Sequence, residues 1–162
     1  MSRADLANTT CTVSRAVERV GDPWVLMILR EVFLGSRRFD EFQRNTGASP
    51  HILSQRLKQM CGDGILEKRA YSAHPPRFEY HVTEKGRDLW PVIVMLKAWG
   101  DKWMGQEGAV LLSHKGCGQE MAPLLICPEC GDPLQARDVR ARISDRLQAE
   151  RERRKQGEGG VE

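Results

Sequence analysis

Four residues with the chemistry of metal ligands stand in two close pairs. His114-Lys-Gly-Cys117 and Cys127-Pro-Glu-Cys130-Gly131 each separate their ligands by two residues. Each pair can therefore chelate one side of a tetrahedral ion, and thiolate and imidazole are the usual ligands of structural zinc. Nine residues between the pairs leave room for a hairpin. The large apolar residues of 105–136 are mainly Leu111, Leu112, Leu124, Leu125 and Ile126. So small a set struggles to bury a core, and small units commonly lean on a metal or a disulfide. One structural zinc held by His114, Cys117, Cys127 and Cys130 is the expectation. The other reading is a reduced or disulfide-linked Cys127/Cys130 pair without metal. Four filled positions would leave no open site, so no metalloenzyme is implied.

Cys11 is a second reactive candidate. It precedes an amphipathic segment, where a helix N-terminus lowers a thiol pKa and favours the thiolate. A small apolar packing role is the alternative. Cys61 falls near the end of a buried-looking helix and is expected to be inert. The start, MSRADLANTT, has no apolar run, and no stretch approaches the roughly 18 apolar residues of a membrane span. The chain is expected to be cytoplasmic, with its five cysteines mostly reduced.

A third set of residues suits nucleic acid. Overall net charge is only +3, but residues 37–77 carry eight Lys/Arg against four acids. The excess sits where a DNA-facing surface would need it. Ser49, His51, Ser54, Gln55 and Lys58 share the polar side of a helix whose inward side carries Ile52 or Leu53, Leu57 and Met60. Gln55 can read adenine by a bidentate pair, while Ser49 and Ser54 suit phosphate. Arg56 meets phosphate or an acid elsewhere in the chain. Arg38 belongs to the same basic segment. Arg77 follows two prolines that stiffen its loop, and it either clamps a phosphate or the minor groove, or pairs with Glu67 or Glu79.

The elements that position these residues follow from periodicity and punctuation. Val13, Ala16, Val17 and Val20 mark a helix over 12–20, ended by Gly21. Asp22 caps and Pro23 starts a second helix, apolar nearly all round, from Trp24 to Leu34. A short helix over 39–45 ends at Gly47, and Ser49-Pro50 opens the next, to about Cys61. Two short helices joined by a Gly-containing turn predict a helix-turn-helix. Residues 65–69 and 77–82 read as strands joined by a 70–76 loop, a wing. Thr83 then caps a long helix to about Met104, which Pro91 kinks or starts irregularly. Leu89, Ile93, Leu96, Gly100 and Trp103 form a seam spaced four, three, four, three, widened by Val92 and Trp99, that suits pairing with a second copy. Residues 105–136 read as loops or hairpins. Val139, Ile143 and Leu147 suggest a last short helix before a charged, disordered tail.

The order of these elements, with several strings in sequence, resembles the HxlR-type winged helix-turn-helix family. The strings are Cys11 followed by Gly21-Asp22-Pro23-Trp24, then Ile28-Leu29-Arg30-Glu31, Arg38-Phe39-Asp40-Glu41-Phe42, Leu53-Ser54-Gln55-Arg56-Leu57, Pro75-Pro76-Arg77-Phe78-Glu79-Tyr80 and Thr83-Glu84-Lys85-Gly86. The resemblance covers roughly 11–104. It implies DNA binding, dimerisation through terminal helices and a regulatory role, with oxidant sensing by a cysteine at the place of Cys11 in some members. His51 departs from the Arg or Lys often found there. The segment after 110 resembles an extension carried by a subset of the family.

The expected fold is α+β and mainly helical: a flexible start (1–10), a winged helix-turn-helix with a long C-terminal dimerisation helix (11–104), a small Cys-rich extension (105–136), and a short helix with a charged tail (137–162). The expected function is a dimeric transcription regulator, a repressor in the first reading. It would read a two-fold operator on double-stranded DNA with helix 49–61 and the wing 65–82, with a small-molecule inducer of unknown kind. The alternative is a zinc-stabilised interaction adaptor on the same scaffold. No nucleotide loop, catalytic triad or paired-carboxylate motif points to an enzyme.

Overall fold

The computed structural model describes residues 6–104 and 110–157. Its elements run α1 (Thr12–Val20), α2 (Pro23–Phe33), α3 (Phe39–Thr46), α4 (Pro50–Gly62), β1 (Leu66–Ser72), β2 (Arg77–Val82), α5 (Glu84–Arg87), α6 (Trp90–Trp103), a 3-10 turn (Ala136–Asp138) and α7 (Asp145–Gly157). The chain divides into two units, one of residues 19–122 and one of residues 1–18 with 123–162. The expectations for 1–5, for the connection at 105–109 and for the last five residues lie outside the described residues.

In the first unit, local chemistry sets where each helix begins. Asp22 Oδ1 accepts from the N–H groups of Trp24 (3.0 Å) and Val25 (3.4 Å), and Pro23 fills a position that needs no donor. Ser49 Oγ accepts from Ile52 N–H (3.4 Å) ahead of Pro50. The turn between α3 and α4 depends on Gly47, whose φ of 71° is left-handed. The core then closes around Val25, Ile28 and Leu29 of α2, Phe42 of α3, Leu53, Leu57 and Met60 of α4, and Ile65 and Leu66 at the wing's root. Each such side chain contributes about 1.5–3 kcal/mol on burial, so three helices and the wing are fixed together.

One buried charge braces this arrangement. Glu31 is 5% exposed. It accepts from Arg30 Nε (2.9 Å), Ser36 Oγ (3.2 Å) and Asn45 Nδ2 (3.0 Å). Arg30 Nη2 also donates to the Asn45 carbonyl. α2 is thereby tied to the far end of α3, with the carboxylate's acceptor sites filled as a buried charge requires.

The wing is a two-stranded antiparallel sheet, Leu66 opposite Val82 and Ala70 opposite Phe78, with a bulge between Ala70 and Ser72. β1 extends to Ser72, three residues beyond the expected strand end at Arg69, because Ala70 and Ser72 keep partners across the ladder. Tyr80 N–H donates to the Arg37 carbonyl (2.8 Å), so the segment entering α3 lies beside β2.

The long helix expected from Thr83 is two helices. Pro91 has no N–H to offer the Arg87 carbonyl, so α5 ends and α6 restarts with proline in its first turn. The break lets the chain turn tightly under the wing: a Cβ on Gly86 would stand 2.3 Å from the Ile65 carbonyl oxygen, which only glycine avoids. The expected seam on α6 is also divided. Leu89 and Ile93 pack against the winged core, while Val92, Leu96, Trp99 and Trp103 are exposed.

In the second unit, the terminal helix lies later than the apolar spacing suggested. Val139 and Ile143 precede it, and the charged stretch 145–157 is helical. Ala, Gln, Glu, Arg and Lys are strong helix formers, and Gln148–Glu152 and Glu150–Arg154 add i,i+4 pairs.

Candidate nucleic-acid interface

α4 separates its faces cleanly. Leu53, Leu57 and Met60 are buried, whereas Ser49, His51, Ser54, Gln55 and Lys58 are exposed. Gln55 Nε2 stands 3.0 Å from His51 Nε2. The two polar heads are thus held side by side at the front of the helix, where a recognition helix meets base edges. Ser49 is occupied as the cap but keeps its exposed position.

Arg56 takes the acid rather than solvent. Its Nη2 lies 2.8 Å from Asp22 Oδ2, with the two side chains 25% and 9% exposed. Burial by itself pushes the Asp22 carboxyl up. The Arg56 guanidinium and the N–H groups of Trp24 and Val25 more than offset that and hold it below the usual carboxylate range. The pair therefore pins α4 to the start of α2.

The wing's cations are sorted in the same way. Arg38 Nε donates to Glu79 Oε1 (3.1 Å) and its guanidinium lies 4.7 Å from the centre of the Tyr71 ring. Arg69 pairs with Glu67, and Lys68 sits 3.9 Å from the Phe78 ring centre. Both acids expected as possible partners of Arg77 are thus engaged by other cations. Arg77 is exposed at the first position of β2, and no described carboxylate pairs with it. The exposed aromatics Tyr71 and Phe78, and the Asp22–Arg56 and Glu31 contacts, were not read as site features from the sequence. Apart from Arg30 and Ser36 beside Glu31, their partners lie ten or more residues away in the chain, and no local spacing announces them.

Cys11 is half-buried just before α1. The Ser14 hydroxyl, with the N–H groups of Ser14 and Val13, holds its thiol below the ordinary value. Cys61 goes the other way, because burial raises it. All five cysteines are free thiols.

The two proposed ligand pairs occupy matching turns. In one, Gly118 N–H donates to the His114 carbonyl (2.7 Å), His114 N–H to Gln119 (2.9 Å) and Met121 N–H to Leu112 (2.8 Å). In the other, Gly131 N–H donates to Cys127, Cys127 N–H to Asp132 and Leu134 N–H to Leu125, each at 2.8 Å. Gly118 and Gly131 both have left-handed φ, 71° and 76°. His114 Nδ1 is 3.4 Å from Cys117 Sγ. The N–H groups of Cys130 and Glu129, then the Cys130 thiol, lower the Cys127 pKa. Among the described residues no group of three or more His, Cys, Asp or Glu is gathered to hold a metal, so each turn by itself presents two ligands.

A helix-turn-helix with its second helix exposed along one polar face, followed by a two-stranded wing, defines a winged-helix DNA-binding protein. The model of the HxlR-like helix-turn-helix family matches residues 19–108, and the chain belongs to that family of transcriptional regulators. An uncharacterized HTH-type transcriptional regulator of Mycobacterium tuberculosis is 45% identical over 65% of this chain and 68% of its own. One from Synechocystis is 34% identical over 60% of this chain and 73% of its own. Among solved structures, PA1607, described as a candidate transcription factor, superposes with a TM-score of 0.76 at 31% identity, covering 86% of this chain and 99% of its own. The oxidized redox regulator HypR reaches 0.54 at 31% identity, covering 57% and 96%. Among the described residues no helix is long and apolar enough to cross a membrane.

Proposed function

We propose that the protein is a cytoplasmic, dimeric repressor that reads a two-fold operator. α4 enters the major groove, with Gln55 and His51 at base edges and Ser54 and Lys58 toward phosphate, and Arg77 on the wing holds the adjacent backbone or minor groove. The observation that carries this reading is Arg77 itself: the wing's neighbouring acids are engaged by Arg38, Arg69 and His81, which leaves this cation for an anion outside the chain. Arg38 and Arg56 act through Glu79 and Asp22 and position the surface. Sequencing the genomic fragments retained by the protein tests the reading, since a regulator enriches a small set sharing an inverted repeat and a protein without base recognition enriches none.

The second copy binds along α6. Val92, Leu96, Trp99 and Trp103 expose a large apolar face, and exposed patches of this kind mark interaction sites. Regulation by oxidant is assigned to Cys11, on the strength of its lowered thiol pKa and the likeness to a redox regulator. Mild oxidant then releases DNA from the wild type and leaves Cys11→Ser bound; release that survives the substitution assigns the effect to another cysteine. A zinc ion held by His114, Cys117, Cys127 and Cys130 stabilises the extension. Its support is the ligand spacing and the matched geometry inside each turn.

A further inference from the structure

The unit built from the chain's two ends contains a cavity of about 490 Å³. One wall is the segment before α1 with Arg15, and the other is α7 with Arg146, Arg153 and Arg154. The walls are joined by Glu150, whose Oε2 accepts from Thr10 N–H (2.7 Å) and whose Oε1 accepts from Arg154 Nη2 (2.6 Å). Those contacts hold the Glu150 carboxyl below its ordinary value, Thr10 contributing most. Among the described residues Glu150 is the only carboxylate lining the cavity, and it is thus occupied. Among the described residues no acid pairs with Arg15, Arg146 or Arg153. The Thr9 side chain, on a buried residue, bonds to the carbonyls of Leu6 and Cys11 and stiffens the first wall.

We propose that this cavity binds a small phosphate-bearing molecule. Four guanidiniums against one carboxylate leave an excess of three positive charges, which a lone carboxylate or a single phosphate of charge about −1.5 to −2 would balance only in part and a diphosphate would nearly match. Guanidinium forks match phosphate oxygens bidentately and keep their charge at any relevant pH. The volume falls in the range of small-molecule sites, about 300–1,000 Å³, and a concavity of this size suits a compact ligand better than a duplex. The charges come from α1 and α7, and the Thr10–Glu150 bond ties α7 to the segment just before α1, so the site exists only when the two are paired. This inference does not depend on how α4 meets DNA.

The test is calorimetric titration of the full-length protein with pyrophosphate, against chloride of matched ionic strength. Wild type should bind with a Kd below about 1 mM. Arg146→Gln/Arg153→Gln should weaken that by about tenfold or more, and Arg15→Gln on the opposite wall should shift it in the same direction. These side chains are solvent-exposed, so folding, followed by circular dichroism, should be unchanged. Arg77→Ala should bind pyrophosphate like the wild type. No binding by wild type, equal binding by the double variant, or loss in Arg77→Ala would each overturn the proposal. So would a double variant whose only defect is a shallower salt dependence on duplex DNA, which would give these arginines to DNA backbone.

Discussion

Arg56 and Asp22 meet at 2.8 Å across the interface of the recognition helix and the central core helix. Asp22 also caps α2, so one carboxylate both starts that helix and sets the placement of α4. Its pKa is depressed in the fold. The stabilisation it gives is therefore complete above the unfolded carboxylate value, about 3.9, and is lost as pH falls through the folded value. In Arg56→Met the burial remains while the cation is gone, so the folded pKa rises. Urea titrations should show Arg56→Met losing about 1–3 kcal/mol at neutral pH, with its acid unfolding midpoint moved to higher pH. An unmoved acid midpoint would mean the pair does not couple these helices.

Arg77 should act as a phosphate contact. Replacing it with alanine should weaken binding to operator and random duplex alike, and lower the slope of log K against log salt by about 0.9. Anisotropy titrations over a salt series measure this. An unchanged slope would leave Arg77 a structural residue of the wing.

Much of the winged unit is legible in the sequence because its signals are local. Asp22-Pro23 and Ser49-Pro50 declare helix starts, Gly47 declares the turn, and alternation over 77–82 declares a strand. What escaped is long-range or competitive. Nothing in the spacing of Leu89, Ile93 and Leu96 says that the first two face the protein's own core and the third faces outward. That division depends on where α6 lands after the break at Pro91. The terminal helix was displaced for a similar reason: Val139 and Ile143 suggested an apolar face, but the propensity and paired charges of 145–157 govern. Within the interface, the exposed row on α4 was visible in the sequence, whereas the partners of Arg38 and Arg56 were not.

The division of α6 sharpens the dimer prediction. Leu96 is 50% exposed in the single chain, so Leu96→Glu should leave the winged unit folded and separate the dimer, because a charge at an apolar interface lacks a partner. Light scattering should give a dimer for wild type at micromolar concentration and a monomer for the variant, with helical circular dichroism retained. A monomeric wild type would remove α6 as the dimer surface.

Protein purified without added zinc or a metal-binding tag should carry about one zinc per chain. Chelator or acid should loosen 105–136 first, since ligands must be deprotonated to bind. The winged core, closed by its own side chains, should persist, as hydrogen exchange would show. Absence of metal, or an intact segment after its removal, would contradict the assignment.

The central claim is that α4 reads bases, and Gln55 is the residue on which it turns. The direct measurement is affinity of wild type and Gln55→Ala for the enriched operator and for random duplex at one salt concentration. The account predicts a loss of about 1–3 kcal/mol on the operator, little change on random DNA, and a preference relaxed at one position in each half-site. An equal loss on both duplexes, or none on either, would contradict base reading by this helix.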